Sequence, residues 1–150
     1  MNLRVLNKKE SLEIINRIIK QFDIKNLGLD YAFFQNEDKI FLISKDLRKV
    51  DFQKLRINNL GLYFCTLAKN GIRLTIEGTQ LIGDKANKNI IDIKENELVY
   101  WFNGENLVRK DIDGFVIIKY KNDFLGCGYG KEGIIINYIP KERRVKGLIY

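Results

Sequence analysis

Three glycines, Gly126, Gly128 and Gly130, alternate through the segment LGCGYGK, inside a stretch that is otherwise apolar. A strand with period 2 places all three on one face and strips that face of side chains. Such a face weakens a strand unless something approaches it closely. The candidates are another backbone inside a small barrel, or a ligand. Apolar runs at 115–118, 124–127 and 134–139 surround the glycines, divided by Lys121-Asn122-Asp123 and Gly130-Lys131-Glu132-Gly133. Short runs rich in Ile, Val, Phe and Tyr, bounded by Gly, Asn and Asp, predict strands joined by hairpins. The last run leads through the only proline, Pro140, into Lys141, Arg143, Arg144 and Lys146.

The pattern GFVIIK, then FLGCG, then GIIINYIPKERR resembles the PUA-type RNA-binding domain, in the version appended to Sun/RsmF-type RNA cytosine-5 methyltransferases. Leu125, Gly126, Gly128, Asn137, Pro140, Lys141 and Arg144 carry the resemblance. The wider layout resembles the Nip-type ribosome-biogenesis proteins, which place an α/β pre-PUA half before a PUA half. The resemblance implies an α+β fold with an N-terminal α/β pre-PUA-like subdomain over 1–84 and a small PUA-like β-barrel over 88–150. It also implies RNA binding. The chain shows neither the S-adenosylmethionine-binding half nor the catalytic Pro-Cys segment of those enzymes, so RNA binding is what carries over, not methyl transfer.

The residues themselves bound the chemistry. Histidine is absent from the 150 residues, which removes Ser-His-Asp and Cys-His catalysis and imidazole metal sites. Cys65 and Cys127 are far apart and lie in apolar stretches. They read as two reduced core thiols, without a metal. Gly126–Gly130 superficially resembles a cofactor loop, but a turn and a strand follow it, so no helix start is offered to a pyrophosphate. No cofactor is expected, and no enzyme. Asp111 and Asp113 flank Ile112 without forming a recognisable acid/base pair. The net charge is +7 with a pI near 9.4. That surplus favours a polyanion partner, nucleic acid first. No apolar run approaches the roughly 18 residues of a membrane span. The N-terminus lacks the apolar core of a secretory signal, so no membrane partner and a cytoplasmic location are expected.

In chain order, 10–22 predicts an amphipathic helix capped by Ser11, with Leu12, Ile15, Ile19 and Phe22 inward, and Ile14 and Ile18 widening the stripe. Apolar runs at 31–35 and 39–44 flank Asn36-Glu37-Asp38 and predict a hairpin. Ser44 then caps a predicted helix running to about Leu55, with Lys45, Arg48, Lys49, Lys54 and Arg56 outward. Asn70-Gly71, between 61–68 and 72–76, predicts a second hairpin. A brief helix at 77–82 precedes the polar segment 83–89, where the subdomain boundary is placed. A strand at 90–93, a helix holding Leu98, Trp101 and Phe102 that stops at Asn103-Gly104, and an extended piece at Leu107-Val108 follow. The three C-terminal strands then complete the barrel.

What remains for a site is basic and aromatic, which is what phosphates and unstacked bases require. The candidate RNA-binding residues are Lys119, Tyr120 and Lys121 at the first hairpin, Lys131 at the second turn, and Asn137, Tyr138, Lys141, Arg143 and Arg144 on the last strand and its exit. If the hairpins stack in one sheet, these turns and that exit converge at one end of the barrel. Tyr120 and Tyr138 read as packed barrel aromatics slightly ahead of base-stacking rings. The expected function is non-catalytic RNA binding, to rRNA or tRNA, in ribosome biogenesis or RNA modification. A ribosome-assembly or RNA-modification protein, such as a separate methyltransferase, is the expected protein partner. The rivals are a protein–protein adaptor and an independent enzyme.

Overall fold

A computed structural model describes residues 3–45 and 61–145. The helix expected between Ser44 and about Leu55 falls largely outside the described residues. In the N-terminal half, the strands β1 (Arg4–Val5), β2 (Tyr31–Asn36), β3 (Lys39–Ser44), β4 (Leu62–Ala68) and β5 (Gly71–Leu74) form an antiparallel sheet in that order. The helix α1 (Lys8–Phe22) covers one face. Asn7, not Ser11, caps α1: its side chain accepts from the Glu10 backbone N–H at 2.8 Å, while Glu10 reaches back to the Asn7 N–H at 3.1 Å. Such a reciprocal pair satisfies two of the amides that a helix start leaves open. The cap therefore lies four residues earlier than expected, and the buried stripe is Ile14, Ile18 and Phe22, with Ile15 and Ile19 packed beside it. Leu12 is left exposed.

The stripe meets Phe33, Ile40, Leu42, Phe64, Ile72 and Leu74. The opposite face of the sheet is buried as well, through Ala32, Phe34, Phe41 and Ile43, with Leu3 and Tyr63 packed on them. Burial of both faces explains why β2 and β3 read as continuous apolar runs and not as alternating ones. The β2–β3 pairing from Tyr31↔Ser44 to Asn36↔Lys39 leaves Glu37 and Asp38 as the turn. The second hairpin is shifted by one residue from expectation. Ala68 pairs with Gly71, so Lys69 and Asn70 are the loop, and Gly71 opens β5 at φ +146°, a conformation that suits glycine.

The C-terminal half contains β6 (Ile90–Asp92), α3 (Glu95–Phe102), β7 (Leu107–Val108), β8 (Gly114–Tyr120), β9 (Asp123–Lys131) and β10 (Ile134–Asn137). The sheet order is β6-β8-β9-β10-β7, with β6 parallel to β8 and every other pair antiparallel. The sheet curls into a half-barrel. Among the described residues it stays open, with β6 and β7 at opposite edges of that order. Trp101 plugs the interior: it is fully buried among Val116, Ile118, Leu107, Ile135 and Ile139, and its indole N–H donates to the Leu125 carbonyl at 2.8 Å. The glycine face points into this interior. A Cβ on Gly130 would overlap the Ile112 backbone, and one on Gly128 would overlap Ile135. Close approach of chain accounts for Gly128 and Gly130, and a backbone φ of +110° accounts for Gly126.

A short helix, α2 (Ile76–Ile82), joins the halves. Thr75 caps it, accepting from the Gly78 N–H at 3.0 Å. Its residues pack in both directions: Ile82 belongs to the N-terminal core, and Ile76 packs against the Trp101 core. Ile117 of β8 is buried in the N-terminal core, and at the same seam the Thr79 hydroxyl accepts from the Gly126 N–H at 3.2 Å. The polar segment 83–89 thus runs beside a shared apolar seam.

Both cysteines are buried and unbridged, and burial pushes each thiol up to about 12. A thiolate is the reactive form. Native protein at pH 8 should therefore leave Ellman-type reagent almost untouched, and denatured protein should release two equivalents promptly. Rapid labelling of the native fold would contradict the buried placement.

Candidate nucleic-acid interface

The sequence-derived candidates fall into three places, not one. Consecutive hairpins of an antiparallel sheet open at opposite ends. The β8–β9 turn beside Tyr120↔Asp123 therefore lies away from the β9–β10 turn beside Ile134↔Lys131. Lys131 is exposed at the second turn, apart from Lys119–Lys121 at the first. The C-terminal exit is a third place. Glu77, near the start of α2, pairs with Arg143, whereas Phe124, next to Lys119, packs on Gly83 just past the end of α2. The length of α2 therefore separates the first hairpin from the C-terminal exit.

At the first hairpin, the Lys119 Nζ lies 5.7 Å from the centre of the Phe124 ring, and the Lys121 Nζ 5.4 Å from that of Tyr120. Tyr120 packs against the Trp101 core, so its ring is largely a barrel aromatic. Lys121 and Lys131 are exposed.

Two C-terminal candidates belong to the scaffold. Asn137 is buried; its amide donates to the carbonyls of Trp101 (2.8 Å) and Glu105 (3.0 Å), and its oxygen accepts from the Ile139 N–H at 2.8 Å. The expectation that Asn137 meets RNA is corrected on this ground: every hydrogen-bonding group of its side chain is engaged inside the chain. Arg144 is half-buried, lies across Gly104 at the end of α3, and donates Nε–H to the Ile139 carbonyl at 3.0 Å. The adjoining Val145 N–H donates to the Phe102 carbonyl at 2.9 Å. These bonds fix the path of the exit segment.

The remaining C-terminal residues form a coherent group. Pro140 leads into a single 3-10 turn, Lys141–Arg143. Lys141 is exposed, Arg143 is half-exposed and ion-paired with Glu77, and Tyr138 is 37% exposed. One face of Tyr138 carries the guanidinium of Arg73, whose Cζ lies 4.8 Å from the ring centre. Arg73 stands on β5, in the other half of the chain, and was not among the sequence candidates. Its positive charge was visible, but nothing in the sequence placed β5 against β10. Between these elements opens a cavity of about 580 Å³, lined by Tyr63, Arg73, Thr75, Tyr138, Pro140 and Arg143 among others.

At the far edge, Glu97 and Arg109 form a two-pronged ion pair at 2.7 and 2.8 Å. The Arg109 guanidinium holds the Glu97 carboxyl below its ordinary value. Glu97 also accepts from the Lys94 N–H at 2.9 Å, so the pair fixes the start of α3 and is structural. No helix among the described residues is long and apolar enough to cross a membrane.

Residues 88–145 match the family described as the methyltransferase RsmF PUA domain. The C-terminal half is a PUA-like domain of the RsmF type. The first strand, helix and second strand expected of it are β6, α3 and β7, and the three following strands are β8, β9 and β10. Two relatives extend the similarity over both halves. The ribosomal RNA small subunit methyltransferase F of Aeromonas hydrophila is 27% identical over 139 residues, and that of Aeromonas salmonicida is 25% identical over the same length. Each alignment covers 91% of this chain but 28% of the relative, so the chain spans just over a quarter of the length of these methyltransferases.

Proposed function

We propose that this chain is a non-catalytic RNA-binding protein of ribosome biogenesis or of rRNA or tRNA modification, acting as accessory to a separate methyltransferase. The observation that carries the reading is the exit of β10. There an exposed ring, Tyr138, stands beside the cations Lys141 and Arg143 on a segment pinned at both ends by hydrogen bonds within the chain. Cations neutralise phosphates, and flat rings stack on unpaired bases. Lys119, Lys121 and Lys131 add charge at the two hairpin turns, with Tyr120 as a ring at the first. They serve as flanking phosphate contacts for a longer RNA. Arg144 contributes through its place in the exit segment.

The test is capture of total RNA by the purified chain, followed by sequencing of what is bound. Incubation with labelled S-adenosylmethionine runs in parallel. Specific enrichment of rRNA or tRNA fragments without label transfer is the expected result. Reproducible methyl transfer by the chain alone would overturn the non-catalytic part. The adaptor reading has one observation in its favour. Val108 on the edge strand β7 is 75% exposed and faces its partner Ile134 across the ladder, making a small apolar patch. Failure to retain any RNA, with a protein retained instead, would move the function there.

A further inference from the structure

We infer that the cleft between β5 and the exit of β10 is a pocket for one unstacked nucleotide, so that the RNA site is composite and the N-terminal half supplies part of it. This inference rests on the RNA reading above and adds where, and with which groups, one nucleotide is held.

Three observations converge. The cleft measures about 580 Å³, within the roughly 300–1,000 Å³ typical of small-ligand sites. Its walls come from both halves: Arg73 and Thr75 from one, Tyr138, Pro140 and Arg143 from the other. Arg73 makes no ion pair among the described residues; its charge lies over the Tyr138 ring. Glu77 and Glu142 also line the cleft, but Glu77 is paired with Arg143 and neither carboxylate is within ion-pair distance of Arg73, so that guanidinium is open to an anion. A guanidinium layered on a ring also extends the flat surface on which a base stacks.

The chemistry matches a nucleotide better than an apolar peptide. Stacking on the ring and guanidinium tolerates any base, because every base has a π-face. The phosphate has Arg143 within the same cleft. That arginine is held by Glu77 at a half-exposed pair, the kind of contact worth little in water and readily exchanged for a phosphate. RNA offers such nucleotides in single-stranded loops and bulges, not within its helices.

The experiment uses the full chain and single-stranded RNA oligonucleotides carrying one 2-aminopurine, whose fluorescence falls on stacking. Wild type is expected to quench it at saturation. Arg73→Ala and Tyr138→Ala should each remove the quench and weaken binding at least about fivefold, the low end of one stacked base. Arg73→Lys should also lose much of the quench yet keep the wild-type salt dependence, because the charge remains and the plane does not. Near-ultraviolet circular dichroism of the buried Trp101 checks each fold. If Arg73→Ala and Tyr138→Ala bind RNA with wild-type affinity, or wild type binds without quenching, the nucleotide pocket is overturned while RNA binding stands. If wild type binds no RNA at all, the RNA reading itself falls.

Discussion

Replacing Lys141 and Arg143 together by alanine should lower RNA affinity and flatten its salt dependence. Each phosphate contact on a single strand contributes about 0.7 to the slope of log affinity against log salt, so losing two flattens it by about 1.4. The effect is largest at low salt, where counterion release is strongest. Arg144 is left in place, because its Nε holds the Ile139 carbonyl and its removal would mix scaffold damage into the readout. The matching control replaces two cations of the N-terminal half, Lys45 and Arg48. Lys45 pairs with Asp30, and Arg48 lies outside the described residues. The control should change both quantities much less. Loss of charge is equal in the two variants, so net charge cannot produce a difference between them. If the control loses more affinity than the C-terminal variant, the RNA face belongs to the N-terminal half. An unchanged slope in the C-terminal variant would mean that neither side chain meets a phosphate.

The local elements were legible because their signals are local. The apolar periodicity of α1 and the turn residues of the 31–44 and 114–137 hairpins each act over a few residues. Where the reading erred locally, a competing side chain decided the matter. Asn7 with Glu10 makes a reciprocal cap that Ser11 has no partner to make. Gly71 is used for a strand residue at φ +146° and not within the turn. The glycine alternation gave the right pair of alternatives, a backbone or a ligand, and Ile112 is the backbone. The site was less legible because it is built between distant parts of the chain. Strand order follows from pairings over long separations, which composition does not encode. The candidate residues were therefore gathered at one end, although consecutive hairpins must open at opposite ends. Arg73 was missed for the same reason: only the packing of β5 against sheet β6-β8-β9-β10-β7 brings it to Tyr138. Asn137 was misplaced because an amide beside cations looks the same in sequence whether it faces solvent or the core.

Asn137→Leu therefore separates the two roles of the last strand. The side chain makes three hydrogen bonds, two to carbonyls around the end of α3 and one from the Ile139 N–H. Leucine is close in volume, so the packing loss is small, but none of the three bonds can be remade. A buried donor or acceptor left without a partner costs about 1–3 kcal/mol. Trp101 keeps a second partner for its carbonyl in the Gly104 N–H, which softens one of the three losses. The expected destabilisation is therefore about 3 kcal/mol. Urea unfolding followed by Trp101 fluorescence should show a lower midpoint with an unchanged slope, since the surface exposed on unfolding is the same. Under conditions where the variant remains folded, the salt slope should match wild type, because Asn137 meets no phosphate and the cations are unchanged, while affinity falls only as far as the segment bearing Tyr138, Lys141 and Arg143 loosens. A variant of wild-type stability that has lost RNA affinity would reverse the assignment, and Asn137 would then be a contact residue and not the clasp that holds the exit of β10 to α3.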